Sequence, residues 1–358
     1  MSAPVEAIPA PRPFALRRWA DPTGVSGTGI VAHGVQWFDG RIELRWIGTT
    51  TGVTSSCSYD SMEDMLRVHG HGGHTEVAWL SVGSEVRCPP RAHIAVRSGS
   101  TSRCQDHVFE TSSGLVLLDG ASSFDPSVPD GGWYAGQLGK RIADQLDSGD
   151  LADIVANAIA SLAMEAELQP QRAPSSTVTL ARWTAGTLDV LILGDSAAVV
   201  YLKDGSVEVL SDNRLAAVAT EQREAINRHF LAGNGYDDRH VQLMAELQRA
   251  ERQARNTPDG YWIAEAVPEA AYQAVRRSWR SDQVSAVLLA SDGATDGIDR
   301  HGQPGSWEAA RELIQTSGAR SLIDAVHAAE ESDPDGSRWH RSKRHDDKAI
   351  AYATFSGL

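Results

Sequence analysis

Val287-Leu288-Leu289-Ala290-Ser291-Asp292-Gly293 runs four apolar residues into a hydroxyl, a carboxylate and a glycine. Leu115-Val116-Leu117-Leu118-Asp119-Gly120 repeats the pattern earlier in the chain. Unbroken apolar runs of this length read as buried strands. An Asp at the end of such a strand sits at the rim of a core, where its charge needs a partner or a metal ion. Asp-Gly by itself carries little weight, because it occurs eight times here and most copies read as turns.

Two further acids share this placement. Gln105-Asp106 precedes the strand that leads toward Asp119, and His345-Asp346-Asp347 precedes the apolar stretch Ala349 to Phe355. Four strand-end acids without matching Lys or Arg nearby suggest an oxygen-ligand site for Mg²⁺ or Mn²⁺. Turn-forming or helix-capping acids are the ordinary alternative.

The surrounding pattern alternates strand pairs with helix pairs. Strands are expected at 94–97, 106–110, 115–118, 176–183, 188–193, 197–202, 284–290 and 349–355. Helices are expected at 133–146, 151–168, 306–316 and 320–331, with a charged helical stretch over 219–256. That order predicts an α+β layered sandwich rather than a doubly wound parallel sheet. Upstream, residues 29–47 read as a hairpin around Asp39-Gly40, followed by a short helix from Ser61 and a strand from Thr75. Residues 1–22 read as a flexible Pro/Ala tail, residues 23–88 as a small β-rich module, and Cys88-Pro89-Pro90 as its end.

The order of the motifs resembles the metal-dependent, type 2C (PPM) family of protein serine/threonine phosphatases, over about residues 92–358. Gln105-Asp106, Val116-Leu-Leu-Asp119-Gly120, Ser175-Ser176-Thr177, Gly194-Asp195-Ser196, Ser291-Asp292-Gly293 and Asp346-Asp347 follow that family's motif order. The resemblance implies a four-layer αββα sandwich with a helical flap-like insert at about 213–280. It implies two Mg²⁺ or Mn²⁺ ions and hydrolysis of phosphoserine or phosphothreonine on proteins by a metal-bridged water. Asp119 would bridge the two ions with help from the Gly120 carbonyl, Asp292 and Asp346 would complete the first, and Asp106 would support the second. Asp195, with Asp292, would bind a third. Asp119, Asp292 and Asp346 are thus the expected catalytic set.

The chain departs from the family's pattern in three places. Thr101 stands where an Arg often grips the substrate phosphate, leaving Arg103 or Arg97 as substitutes. Ala121-Ser122-Ser123 follows Asp119-Gly120 where a His or Met and two glycines are usual, and the opening element lacks one carboxylate. These departures motivate a rival reading, a phosphatase-fold regulatory or binding module with little turnover. A haloacid-dehalogenase-type phosphatase is disfavoured, since Leu117 occupies the position of its nucleophilic Asp.

Composition narrows the setting. The 358 residues carry 47 acidic against 33 basic side chains, a net charge of -14, which disfavours nucleic acid as a partner. Three scattered cysteines form no disulfide framework, and no apolar run suits a secretory signal or a membrane span. The expectation is a cytoplasmic protein, bacterial by composition, acting on a phosphoprotein, with a protein partner for the N-terminal module. His69, His71 and His74 read as a polar Gly-rich loop rather than a metal site.

Overall fold

A computed structural model describes residues 11–19, 21, 27–48, 52–80, 90–100, 103–123 and 127–355. The chain divides into two compact units, Met1–Cys88 and Pro89–Leu358.

The first unit holds β1 (Arg12–Arg18), β2 (Gly29–Gln36), β3 (Ile42–Trp46), β4 (Ser55–Tyr59), α1 (Met62–His69) and β5 (Thr75–Trp79). They form one antiparallel sheet in the order β4-β3-β2-β1-β5. The Asp39-Gly40 hairpin is present, with Gln36 opposite Ile42. The expected tail is corrected over residues 12–18. β1 is an interior strand, paired with β2 on one side and β5 on the other. Phe14 and Leu16 are fully buried against Val31, Ile42, Leu44 and Met65. Burying these side chains stabilises the strand by roughly 2 kcal/mol each, which outweighs the disorder that a Pro- and Arg-rich composition suggests. Residues 1–10 and the Cys88-Pro89 break lie outside the described residues.

The second unit continues with β6 (Arg91–Arg97), β7 (Asp106–Glu110), β8 (Gly114–Asp119), α2 (Gly131–Ala143), α3 (Leu151–Glu165), β9 (Val178–Trp183), β10 (Thr187–Leu193), β11 (Ala197–Leu202) and β12 (Val207–Ser211). Next come α4 (Thr220–Leu231), α5 (Asp238–Ala254), β13 (Val275–Arg280), β14 (Val284–Ala290), α6 (Asp292–Asp299), α7 (Trp307–Ser317), α8 (Ala319–Glu331) and β15 (Lys348–Thr354). Two antiparallel five-stranded sheets result, β13-β10-β9-β8-β7 and β12-β11-β14-β15-β6.

Alternation along the strands builds the layers. Leu115 and Leu117 of β8 point between the sheets, meeting Val287 and Leu289 of β14 and Ala351 of β15. Val116 and Leu118 point outward, onto Leu138 and Ile142 of α2 and Ile159 of α3. Leu288 and Ala290 point outward on the other side, onto helices α6 to α8 through Ile298, Leu322 and Ile323. Both faces of β8 and β14 are therefore buried, which is why their sequences are unbroken apolar runs. The architecture is the α+β, four-layer αββα sandwich, with a small β-rich unit before it. Trp279 is buried between the sheets and Trp262 packs on the α2–α3 side, so both fill cores.

The charged stretch 219–256 is two helices, α4 and α5, broken at Gly233-Asn234-Gly235. Both glycines have positive φ, +81° and +63°, a conformation a helix interior does not contain.

Candidate functional site

The rim of the sandwich gathers carboxylates because strand ends deliver them. Asp119 closes β8 and stands opposite Asp106, which opens β7. Asp292 follows β14 as the first residue of α6, and Asp346 precedes β15. The charges of Asp106 and Asp292 act on Asp119, and the charge of Asp346 acts on all three. Asp119, Asp292, Asp346, Asp195 and Asp296 line one cleft of about 830 Å³.

The backbone around Asp119 is held from several sides. Its N–H donates to Thr177 Oγ1 at 3.1 Å, and its carbonyl accepts from Thr177 N and Ser176 Oγ at 2.9 Å each. Thr177 Oγ1 also meets Ser196 Oγ at 2.8 Å. The Ser176-Thr177 and Asp195-Ser196 elements thus orient Asp119 rather than face the cleft alone. Gly120 must be glycine, since a Cβ there would lie 2.5 Å from the Gly131 backbone. Gly194 has φ of +97°, which frees the chain to turn Asp195 toward the cleft.

Ser291 ties the two sheets together at the rim. Its Oγ donates to Asp106 Oδ2 at 2.8 Å and accepts from Ala349 N at 2.9 Å. Asp347 faces away from its neighbour Asp346: its carboxylate accepts from Gly99 N at 2.8 Å and Gln105 N at 2.7 Å, anchoring the loop before β7. Sequence reading missed this role, whose only signal is the acid's place beside Asp346.

The electrostatics are those of a site short of positive charge. Burial raises the Asp119 pKa well above the usual carboxylate range, and Asp106, Asp292 and Asp346 add to it. Asp292 is raised likewise, by burial and then by Asp346 and Asp195. Burial, opposed by the Ser291 hydrogen bond and reinforced by Asp347 and Asp346, pushes Asp106 up to about 7. Asp195 is raised by burial, with Arg223 working in the opposite direction. Asp106 Oδ1 is buried and has no hydrogen-bond partner among the described residues. An orphaned carboxylate oxygen amid mutually repelling acids fits hard divalent cations, which prefer oxygen and need several negative charges nearby.

These shifts set a stability trend for the metal-free chain. Each of these carboxyls binds its proton more tightly folded than unfolded. The stability it contributes is therefore present below its unfolded pKa and is lost as pH rises through its folded value, about 7 for Asp106. The melting temperature in chelator should fall between about pH 5 and 8 by this linkage. Added Mn²⁺ should raise it most at the alkaline end. A flat profile in chelator would contradict the clustering.

The two expected phosphate-binding arginines are not in the cleft. Arg97 Nη1 pairs with Asp324 of α8 at 2.6 Å. Arg103 is exposed and lies near His107 on the β7 side. A strand-end position does not decide which long side chain reaches the rim, and Arg97 finds a carboxylate on the outer helix layer first. Thr101 lies outside the described residues. The basic residue beside the acids is one the sequence reading passed over, Lys343, whose Nζ donates to Asp346 Oδ1 at 2.7 Å. Burial works against its charge, but Asp346, then Asp119 and Asp292, outweigh that and raise its pKa. Helix α5 rests on the loop after Gly120, where Gln248 Nε2 donates to the Ser122 carbonyl at 3.1 Å and Arg252 Nη2 to Ser123 Oγ at 3.2 Å.

Comparison with known proteins follows the division of the chain. A family model described as Acb5 phage protein matches residues 11–81. No curated protein matches the chain. Among solved structures, the chain is similar to a serine-threonine phosphatase 2C from Toxoplasma gondii at 15% identity and TM-score 0.46, covering 76% of this chain and 98% of that one. It is similar to serine/threonine phosphatase Stp1 from Staphylococcus aureus at 14% and 0.44, covering 75% and 96%. It is similar to the Mycobacterium tuberculosis serine/threonine phosphatase PstP/Ppp at 15% and 0.44, covering 74% and 98%. The family model for protein phosphatase 2C matches residues 95–329, more than half of the chain, and by that match the chain belongs to the protein phosphatase 2C family.

Proposed function

We propose that the chain is a metal-dependent phosphatase that hydrolyses phosphoserine or phosphothreonine on proteins at the Asp119 rim. The observation that carries this reading is the convergence of Asp106, Asp119, Asp292 and Asp346, with an orphaned Asp106 oxygen among them. Asp119, Asp292 and Asp346, with the Gly120 carbonyl, would hold two Mg²⁺ or Mn²⁺ ions, Asp106 would support the second, and Asp195 with Asp292 would take a third. Such a pair of ions supplies an activated water and neutralises phosphoryl oxygens. The chain's part is to place the carboxylates, hold the substrate phosphate in line and shape the cleft. The leaving group would take its proton from solvent, because Ala121-Ser122-Ser123 offers no acid there.

Turnover of p-nitrophenyl phosphate and a phosphopeptide by the purified chain tests this. Activity should need Mn²⁺ or Mg²⁺ and vanish on exhaustive chelation. A chain beginning at Pro89 should keep it, since we also assign 23–88 to a separate module that serves a protein partner and 92–358 to the phosphatase. Metal binding without any turnover would favour the regulatory reading instead. Among the described residues no helix is long and apolar enough to cross a membrane. The net charge of -14 favours a phosphoprotein over nucleic acid as partner, and a bacterial cytoplasm is the proposed setting.

Lys343 is the proposed grip on the substrate phosphate, in place of the arginine missing at 101. A lysine serves as a point charge for phosphate. Lys343→Met should raise KM about tenfold or more, the loss of one charged hydrogen bond, and leave kcat nearly unchanged. An unaltered KM would remove Lys343 from this role.

A further inference from the structure

Beside the carboxylate cleft lies a second group of ligating side chains of different chemistry. His327 and Glu330 stand three residues apart on α8, which places them on one face of the helix. His345, from the segment before β15, comes over the same face. One ligand atom from each of the three lies within 4.8 Å of the others. His327 Nδ1 is 3.9 Å and His345 Nδ1 2.9 Å from Glu330 Oε2, and the two imidazole rings stack at 4.2 Å. Ligands of a tetrahedral ion with bonds of about 2.0 Å sit roughly 3.3 Å apart, so these separations bracket what such an ion requires.

We propose that His327, Glu330 and His345 form a transition-metal site of the zinc class, separate from the carboxylate centre. Two imidazoles and one carboxylate are a donor set that favours Zn²⁺, whereas the Asp119 rim offers only oxygen. The tautomer supports this. His327 Nε2 lies 3.5 Å from Glu331 Oε1, which favours the proton on that nitrogen. Nδ1 is then left with its lone pair facing Glu330, and it is buried without a hydrogen-bond partner among the described residues. His327 is only 8% exposed. A histidine whose far nitrogen faces a carboxylate while the near one is unengaged has the orientation that carboxylates give metal-ligating histidines.

The charges around the cluster shape its use. Burial lowers the His327 pKa to about 4, and Arg97, His345 and Lys348 add to the effect while Glu331 opposes it, so the ring stays in its ligating, neutral form at neutral pH. Lys348 Nζ, fully buried, donates to Glu330 Oε2 and to the Asp346 carbonyl, both at 2.8 Å. It takes one lone pair of Glu330 Oε2, so the ion takes the other lone pair of that oxygen, and a water completes the tetrahedron. His345 then turns its Nδ1 from Glu330 to the ion.

Zn²⁺ binding to the full chain carrying Asp119→Asn and Asp292→Asn, measured by equilibrium dialysis, tests the assignment. That background disables the carboxylate centre, so the result stands or falls apart from any phosphatase activity. The expectation is one Zn²⁺ per chain, with affinity lowered about tenfold or more by adding His327→Ala, as for loss of a supporting or direct ligand. His327→Gln, close in volume to the native side chain, should lower it equally while leaving the melting temperature of the metal-free chain in place. An absence of bound Zn²⁺ in the parent double variant, or an affinity that neither His327 substitution changes, would overturn the site.

Discussion

Asp119→Asn should abolish turnover, by about three decades or more, which is about 4 kcal/mol of barrier. The charges of Asp106, Asp292 and Asp346 all act on Asp119, so neutralising it removes charge from the point where two cations would meet. Asp195→Asn should lose less at saturating Mn²⁺, because Asp195 stands to one side, facing Arg223, Asp212 and Asp296. The loss should not come from unfolding. The Asp119 carboxyl is destabilised by burial and by its acidic neighbours, so the Asn variant should melt at an equal or higher temperature in chelator above neutral pH. Retained activity in Asp119→Asn would be incompatible with the proposed reaction. A sharply lower melting temperature in chelator would show that the rim's acids do not repel one another.

The largest effect on stability is expected at Arg341. Its guanidinium spends five N–H bonds on one segment: Asp333 Oδ2 at 2.8 Å, Asp333 O at 2.6 Å, Glu330 O at 3.1 Å, Trp339 O at 2.9 Å and Arg344 O at 3.0 Å. Arg341 is 8% exposed and Asp333 4%. Arg341→Met leaves a buried carboxylate without its cation and takes a donor from four carbonyls, of which Glu330 O and Asp333 O keep the Asp333 and Gly336 N–H groups, and should cost about 3–5 kcal/mol in urea unfolding. Arg341→Lys should rescue little, because an ammonium cannot span the same fork of acceptors. The segment that Arg341 folds carries Lys343 and Asp346 to the rim, so residual activity should fall with it. A variant within about 1 kcal/mol of the parent would mean that the remaining donors to Asp333, the Arg338 and Trp339 N–H groups and the Ser337 hydroxyl, suffice.

The amino-acid sequence by itself determined the sandwich and the acids of its rim. Strands buried on both faces need apolar side chains at every position, so β8 and β14 are legible as unbroken runs, and an Asp at the end of each can only lie where the core stops. Edge strands carry a weaker signal. β12 and β13 are partly exposed, with sequences such as Val275-Arg-Arg-Ser-Trp-Arg, and passed unrecognised. β1 was hidden by the composition around it, although Phe14, Ala15 and Leu16 form a short apolar run that is buried. What only the tertiary structure decided is which charges meet. Arg97 finds Asp324, Lys343 finds Asp346, and His345 comes to lie over the His327–Glu330 face of α8. Burial leaves a periodic mark along the chain, because each residue's share of the core is set by its own strand or helix. Pairing of long charged side chains leaves none, because it depends on distances between elements far apart in sequence, and the Arg97–Asp324 pair is separated by 227 residues.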